Sequence, residues 1–251
     1  MNKFLCASLV FLSLTASGRP LETIQHTGEI KVAVDGQTPG FNYFVGKKLT
    51  GFEVDLAAEM AMNLGIKLRW ITQSFNSLLI GLQADRFDLI ATSHAMTPER
   101  EKVVDFLMPH YCTGTVIVSR QGGPKTEKDL AGKVVVVPVG TVYYDYLKKN
   151  PTLKELRTMP DENAGLQSLT TGKADAWVTE QFVAIEALKS HPKENLQIGA
   201  TLFTQKNAMV VAKGNPALKE VLNTSLKQIL ADGRYAHLSQ KYFQRDIRCK
   251  E

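Results

Sequence analysis

The sequence predicts an α/β protein in which two similar units enclose a cleft. Short apolar strands alternate with segments of helical periodicity over residues 29–92 and again over residues 113–179. That alternation is typical of parallel sheets covered by helices. Extended segments, rather than flexible linkers, separate the two units, and helices return after the second. With 251 residues, the chain is long enough for two lobes of roughly 100 residues each. A cleft that is bridged by two strands and closes by a hinge motion follows from this layout.

In the first unit, strands are predicted where apolar residues run together, and helices where they recur every three or four positions. The segment from Val54 to Leu64 has the helical spacing, and a loop rich in glycine and proline ends the first strand. In chain order we predict a strand at 29–35, a hairpin of 41–43 and 47–50, a helix at 54–64, a strand at 67–71, a helix at 74–82 and a strand at 87–92.

The second unit repeats this order. Its clearest strand is a run of valines, and a helix begins just after Gly140 and Thr141. We predict strands at 113–119, 133–139 and 174–179, a helical turn at 126–130, helices at 142–149 and 162–170, and extended segments at 200–203 and 208–212. A long helix with one apolar face then ends at Asp232 and Gly233, and a last helix follows.

The first 18 residues have the pattern of a cleaved export signal. Lys3 precedes an apolar run, residues 4–14, that is too short for a permanent membrane helix, and small residues follow at 16–18. Cys6 lies ahead of most of this run, so a lipid anchor is not expected. No later stretch is long and apolar enough to span a membrane. The sequence therefore predicts a signal peptide over residues 1–18 and a soluble, periplasmic mature chain.

Charge and cysteine content exclude some partners and leave one question open. The net charge of +5 comes from basic residues scattered among acidic ones, so nucleic acid is a poor partner. The five histidines show no ligand spacing, and neither a metal nor a cofactor is expected. After removal of the signal peptide, Cys112 and Cys249 remain. In an oxidising compartment they are able to form one long-range disulfide. The alternative is a buried free thiol at Cys112 and an exposed one at Cys249.

The candidate ligand site follows from a rule for open α/β sheets, in which ligands bind beyond the carboxyl ends of the strands. Polar and aromatic residues at or shortly after these predicted ends include one arginine, two carboxylates and two aromatic rings. This combination suits a small zwitterion. The candidates are Asp35, Phe41, Phe75, Thr92, Ser93, Arg100, Thr141 and Glu180.

Each candidate has a chemical role that fits its type. The planar guanidinium of Arg100 suits a carboxylate, and Thr141 at a helix start offers free backbone N–H groups to the same anion. Glu180 suits an ammonium group, and Phe75 an apolar wall. Taken singly, each also has an ordinary explanation, because Arg100 is typical of a solvated helix start, Glu180 of a helix cap and Phe75 of a core. Their joint placement at strand ends favours the binding site.

Several segments resemble one family along nearly the whole mature chain and in the same order. They are Gly51-Phe52-Glu53-Val54-Asp55-Leu56, Phe87-Asp88-Leu89-Ile90 through Thr97-Pro98-Glu99-Arg100, Asp129-Leu130-Ala131-Gly132-Lys133-Val134 through Gly140-Thr141, Gly172-Lys173-Ala174-Asp175-Ala176, and Ala231-Asp232-Gly233-Arg234-Tyr235. These segments resemble solute-binding protein family 3, the periplasmic receptors of polar amino-acid ABC transporters.

The resemblance implies the type II periplasmic binding fold, with two α/β lobes joined by two crossover strands. The first lobe would comprise residues 29–112 and 208–251, the second residues 113–207, with hinges near 112–116 and 204–209. The ligand would be an amino acid or a similar zwitterion, and the partner an ABC-transporter permease; a monomer that acts alone is expected.

The resemblance also implies roles for the eight candidates. Arg100 and Thr141 match positions that hold the α-carboxylate of the ligand, and Glu180 falls where an aspartate usually holds the α-ammonium. The other matches are Thr92 and Ser93 in a hydrogen-bonding loop, Phe75 in an aromatic wall, and Asp35 and Phe41 in the loop after the first strand. Ala95 replaces a frequent serine, so one hydroxyl contact to the solute is expected to be missing.

An enzyme is the main alternative. Cyclohexadienyl dehydratases, which act on prephenate or arogenate, have the same fold, but they are expected to carry an acidic group where this chain has Val142 and Tyr143. Glu180 alone keeps that alternative open. His110 and Cys112 lack a third, orienting group, so no catalytic residue is predicted and the chain is expected not to be an enzyme.

Overall fold

A computed structural model describes residues 18–249. The strands of this part of the chain are β1 Glu29–Val34, β2 Gln37–Thr38, β3 Asn42–Val45, β4 Lys48–Thr50, β5 Lys67–Thr72, β6 Leu89–Ala95, β7 Val104–Phe106, β8 Tyr111–Arg120, β9 Val134–Pro138, β10 Glu155–Met159, β11 Ala176–Glu180 and β12 Leu196–Ala212. The helices are α1 Leu21–Thr27, α2 Phe52–Asn63, α3 Phe75–Gln83, α4 Pro98–Glu101, α5 Val142–Leu147, α6 Glu162–Thr170, α7 Gln181–Ser190, α8 Pro216–Ala231 and α9 Arg234–Phe243. The predicted signal peptide falls on residues outside the described ones, apart from Gly18.

Nine strands form one mixed sheet that runs through the molecule, in the order β10-β9-β11-β8-β12-β6-β1-β5, with β7 paired to β12. Strands β5, β1 and β6 pair in parallel at one end, and β10, β9 and β11 pair in parallel at the other. Each end is one lobe, and we call them the first and second lobe. A separate three-stranded sheet, β2-β3-β4, belongs to the first lobe.

Two long antiparallel strands connect the lobes. Strand β8 pairs with β12 from Arg120 opposite Leu196 to Tyr111 opposite Asn207. Register shifts interrupt β12 between Ile198 and Phe203, where the strand bends out of regular pairing. The predicted hinge segments, 112–116 and 204–209, lie within β8 and β12, whereas the exact limits of the lobes stay a prediction.

Local sequence explains why these elements form. Asp161 begins α6 because its Oδ1 accepts a hydrogen bond from the backbone N–H of Ala164, at 2.8 Å. Asn215 caps α8 in the same way through the N–H of Leu218. Strand β9 consists of four valines and Pro138, all buried except the half-buried Val134, as expected for a parallel strand inside a sheet.

The sequence prediction missed several elements and divided one. Helices α1, α4 and α7 and strands β7 and β10 were not predicted, and the two extended segments at 200–203 and 208–212 belong to the single strand β12. Strand β10 lies at the sheet edge, and its residues are exposed or half-buried. Its sequence therefore lacks the apolar run from which a strand is predicted. Helix α7 does bury Phe182, Val183, Ala184 and Ala187 on one face, and this spacing was overlooked.

The largest core cluster extends through both lobes and includes Trp177 and Tyr111, each almost fully buried. Smaller clusters lie beneath α3 and beneath α5. At the start of β8, Cys112 forms a disulfide with Cys249, with a Cα–Cα distance of 4.7 Å. The disulfide answers the question that the sequence left open, and it fixes the C-terminal tail to a crossover strand.

Within residues 18–249, no helix has the length and apolar character needed to cross a membrane. The same residues contain no cluster of histidine, cysteine and carboxylate side chains that is able to hold a metal ion.

Candidate ligand cleft

A cavity of about 370 Å³, counted to its open mouth, lies between the lobes at the carboxyl ends of the parallel strands. Asp35 directly follows β1, Ser93 lies in β6, and Glu180 is the last residue of β11. The fold therefore brings side chains from both lobes to one place, as expected for an open α/β sheet. The lining residues are Asp35, Thr38, Phe75, Ser93, Pro138, Thr141, Tyr143, Asp161, Glu162 and Glu180.

Five of the eight predicted site residues line this cavity, namely Asp35, Phe75, Ser93, Thr141 and Glu180. The other three lie elsewhere. The ring of Phe41 is completely buried in the core, stacked on Tyr111 at 4.7 Å between ring centroids. Thr92 is also buried. Its hydroxyl oxygen accepts a hydrogen bond from the backbone N–H of Asp35, so Thr92 holds the start of the loop that follows β1.

Arg100 lies beside the cavity and joins the two lobes. Its Nη1 donates to the carbonyl of Ala95 at 2.8 Å, and its Nη2 donates to the carbonyl of Gly140 at 2.9 Å. Burial lowers the pKa of Arg100. Arg100 is half-buried, and among residues 18–249 it forms no ion pair with a carboxylate.

Glu180 is the most deeply buried acid of the cavity, with 1% of the residue exposed. Its Oε2 accepts a hydrogen bond from the hydroxyl of Tyr111 at 2.7 Å and a longer one from the amide of Asn207. Its Oε1 has no partner among the described residues. Burial raises the pKa of Glu180 well above its ordinary value, against the lowering effect of the Tyr111 hydroxyl. An unpaired buried oxygen of this kind is expected to receive a donor.

Asp35 forms the opposite wall in the first lobe. Its two oxygens accept from the hydroxyl of Thr38 at 3.2 and 3.0 Å. Burial is the main reason that the pKa of Asp35 rises to about 7, and the neighbouring Glu53 adds to the effect.

Glu162 is an acid of the cavity that the sequence analysis did not identify. It begins α6 in the second lobe, and its Oε2 accepts from the indole N–H of Trp177 at 3.1 Å. Burial raises its pKa to about 8, and Asp35 and Asp161 add to the rise. Strand β10 ends just before Asp161, so the strand-end rule would have found both acids had that edge strand been recognised.

A buried acid outside the cavity positions Ser93. The Oε2 of Glu53 accepts from the backbone N–H of Ser93 at 3.1 Å and from its hydroxyl at 3.2 Å. The Oε1 of Glu53 meets Nε2 of His110 at 2.9 Å, and both side chains are completely buried. This network fixes the end of β6 at Ser93 relative to the start of β8.

The aromatic wall is a stacked pair. The ring of Phe75, at the start of α3, lies 4.5 Å from the ring of His94 at an interplanar angle of 17°. Burial, with a smaller effect of Arg100, lowers the pKa of His94 to about 3. His94 is therefore neutral, and because the carbonyl of Thr92 only accepts, the Nδ1 of His94 carries the proton.

Comparison with known proteins agrees with this geometry. Residues 30–245 match the family described as bacterial extracellular solute-binding proteins, family 3. The L-cystine-binding protein TcyJ of Escherichia coli strain K12 is 29% identical over 232 residues, which cover 90% of this chain and 87% of that protein. A solved ancestral arginine-binding protein bound to arginine is 30% identical, with a TM-score of 0.83 and coverage of 86% of this chain and 98% of its own. The predicted two-lobed type II periplasmic binding fold is thus confirmed.

A third similar protein bears on the enzyme alternative. The structure of AncCDT-1, an ancestral amino acid-binding protein and precursor of cyclohexadienyl dehydratase, is 28% identical, with a TM-score of 0.82. The match covers 89% of this chain and 99% of the AncCDT-1 chain. This neighbour is itself described as an amino acid-binding protein.

Proposed function

Because the chain belongs to family 3 of the bacterial extracellular solute-binding proteins, we propose that it captures an amino acid between its lobes and delivers it to an ABC-transporter permease. The observation that carries this proposal is the unpaired Oε1 of Glu180 in the wall of the interlobe cavity. An α-ammonium group supplies the donors that this oxygen lacks. The proposed setting is the periplasm, with the signal peptide removed and the mature chain acting as a monomer.

The proposed clamp for the α-carboxylate consists of Arg100 and Thr141. What supports it is the position of the guanidinium, which donates to the carbonyl of the residue next to Thr141 and forms no ion pair within residues 18–249. Guanidinium groups bind carboxylates through two parallel hydrogen bonds, a stronger arrangement than two bonds to carbonyls. On ligand binding, Arg100 would exchange a backbone acceptor for the carboxylate.

The proposed mechanism is a hinge motion. Asp35, Phe75 and Ser93 belong to the first lobe, and Thr141 and Glu180 belong to the second. An amino acid that contacts both groups binds the closed form more tightly than the open form, and therefore shifts the population toward closure.

A thermal-shift screen of the amino acids tests the proposal. At a concentration of 100 Kd a true ligand adds about 2.7 kcal/mol of stability, which corresponds to a rise in Tm of roughly 5–10 °C for a chain of this size. Glu180→Gln keeps an oxygen for Tyr111 but loses the charge. We expect about 10–100-fold weaker binding, because a hydrogen bond to a charged group contributes about 1.5–3 kcal/mol.

The matched control is Glu194→Gln, since Glu194 is exposed and lies outside the cavity. This variant is expected to bind like the parent. If no amino acid shifts the Tm of the parent, or if Glu180→Gln binds as tightly as Glu194→Gln, the proposal is wrong.

A dehydratase activity is the second candidate, because a buried carboxyl with a pKa of about 8, such as Glu162, has the protonation state of a general acid at neutral pH. The lining disfavours it, since prephenate carries two carboxylates and the ten lining residues include no lysine or arginine to pair with them. We expect no turnover of prephenate or arogenate; measurable turnover that Glu162→Gln abolishes would establish the enzyme instead.

A further inference from the structure

The charged side chains of the cavity wall are all acidic. Four of its ten lining residues are acids, namely Asp35, Asp161, Glu162 and Glu180, and no lysine or arginine is among the ten. The Oε1 of Glu180 is buried without a partner in the described chain. The acids therefore offer more acceptors than the surrounding protein donors satisfy.

The hydroxyl groups of the wall add further acceptors. Thr38 donates its proton to Asp35, Ser93 donates to Glu53, and Thr141 donates to the carbonyl of Pro138 at 2.8 Å. A hydroxyl whose single proton is already committed presents only lone pairs to a ligand. Three of the uncharged polar groups of the cavity thus prefer N–H donors over a carboxylate or a carbonyl.

Two of the acids approach each other from opposite lobes. Asp35 follows β1 in the first lobe, and Glu162 begins α6 in the second; each is 7–8% exposed. In the same region Nδ2 of Asn163 donates to Oε1 of Gln37 at 2.8 Å, so the lobes are in direct contact there. When both are ionised, two carboxylates brought together by closure repel each other, and a cation between them relieves that repulsion.

We propose, on the basis of the function proposed above, that the ligand is an amino acid with a cationic side chain, whose distal ammonium or guanidinium group lies between Asp35 and Glu162. Glu162 is then a specificity residue. A neutral side chain leaves the two carboxyl groups without a counter-charge, so the closed form discriminates against it. Glu180 holds the α-ammonium, and the distal cation allows the lobes to close.

The test compares two amino acids of nearly the same shape, L-arginine and its neutral analogue L-citrulline, by isothermal titration calorimetry at pH 8. We expect L-arginine to bind roughly 30-fold or more tightly, in line with the cost of leaving a buried charge unpaired. L-Lysine and L-ornithine are expected to bind, and L-glutamate is not. Glu162→Gln is expected to remove most of the difference between arginine and citrulline, whereas Glu194→Gln keeps it.

The outcomes separate this inference from the proposed function. If citrulline, glutamine or cystine binds as tightly as arginine, the protein is an amino-acid receptor but the cationic class is wrong. If arginine binds preferentially and Glu162→Gln retains the full preference while its Tm without ligand matches the parent, Glu162 is not the specificity residue. If no amino acid binds to the parent, both proposals fail.

Discussion

At the scale of single residues, the cavity contains carboxyl groups whose protonation depends on what they meet. Glu180, Asp35 and Glu162 each receive hydrogen bonds from one or two neighbouring groups, and burial raises the pKa of all three. Without a cation, each of them therefore retains its proton to a higher pH than a solvent-exposed carboxyl does. A bound cation favours the ionised form, so ligand binding and proton release are linked.

Affinity for a cationic amino acid is expected to rise from pH 6 to pH 9. Below about pH 7 for Asp35 and about pH 8 for Glu162, binding must first expel a proton. Calorimetry at pH 7 in two buffers of different ionisation enthalpy should show a net release of protons. The ionisable neighbours of these two carboxyls are Glu53 with its partner His110, Asp161, Glu180, Tyr111 and Tyr143. An affinity that is flat or falls with pH would contradict the linkage.

The same carboxyls make the unliganded protein less stable as pH rises, whereas they make ligand binding tighter. A carboxyl whose pKa is raised by folding binds more protons in the folded state, so the free energy of unfolding falls as pH rises toward that pKa. Below pH 6.5 the neutral, buried His94 opposes this trend, because its pKa is lowered to about 3. Between pH 6.5 and pH 8 we expect the free energy of unfolding to fall by about 1–2 kcal/mol.

Urea denaturation at several pH values measures this change. In Glu162→Gln the fall should be smaller, since one of the titrating groups is gone. A free energy of unfolding that increases over this pH interval would show that the two carboxyls are ionised in the unliganded protein.

At the scale of elements, the turn between β9 and α5 lies against α3 of the other lobe. Gly140 has a φ of +79°, and a Cβ placed there would come within 3.0 Å of the Cβ of Asn76. Gly132 has a similar φ of +70° but nothing within 4 Å. Both glycines therefore have a left-handed backbone conformation, but only Gly140 lies against the other lobe.

This pair gives a controlled test of closure. Gly140→Ala and Gly132→Ala should each destabilise the unliganded protein by about 1 kcal/mol through backbone strain. Only Gly140→Ala should also weaken amino-acid binding, by roughly tenfold, because the added methyl group resists the closed form. The affinities are measured by calorimetry; equal affinities for the two variants would show that closure does not bring this turn against α3.

The same elements show what the sequence was able to predict. The alternation of strands and helices and the strand-end rule pointed to Asp35, Ser93 and Glu180, which line the interlobe cavity. Each lies at or near the carboxyl end of a strand with a clear apolar pattern. Glu162 was missed because β10, the strand before it, lies at the sheet edge and has no such pattern. Phe41 was placed near the ligand, but a large ring after a strand packs equally well into the core, and only the tertiary structure distinguishes the two positions.

At the scale of the whole molecule, the disulfide between Cys112 and Cys249 closes a loop with a sequence separation of 137 residues. Such a loop restricts the unfolded chain, and its loss typically costs about 2–4 kcal/mol. We expect the double variant Cys112→Ser and Cys249→Ser to have a Tm lower by roughly 5–15 °C. Differential scanning calorimetry of both forms under oxidising conditions measures the change; an unchanged Tm would mean that the tail is held by packing alone.

Two contacts between the lobes, the one from Arg100 to the carbonyl of Gly140 and the one from Asn163 to Gln37, are made entirely by the protein. They lower the free energy of the shut conformer in the absence of a solute. The apparent dissociation constant is inversely proportional to the fraction of unliganded molecules that are already competent to bind. Contacts that favour the shut conformer without a ligand therefore tighten the measured binding. Under the proposed function, an empty molecule that is already shut would have the same outline as a loaded one, and a permease would have less basis on which to distinguish the two.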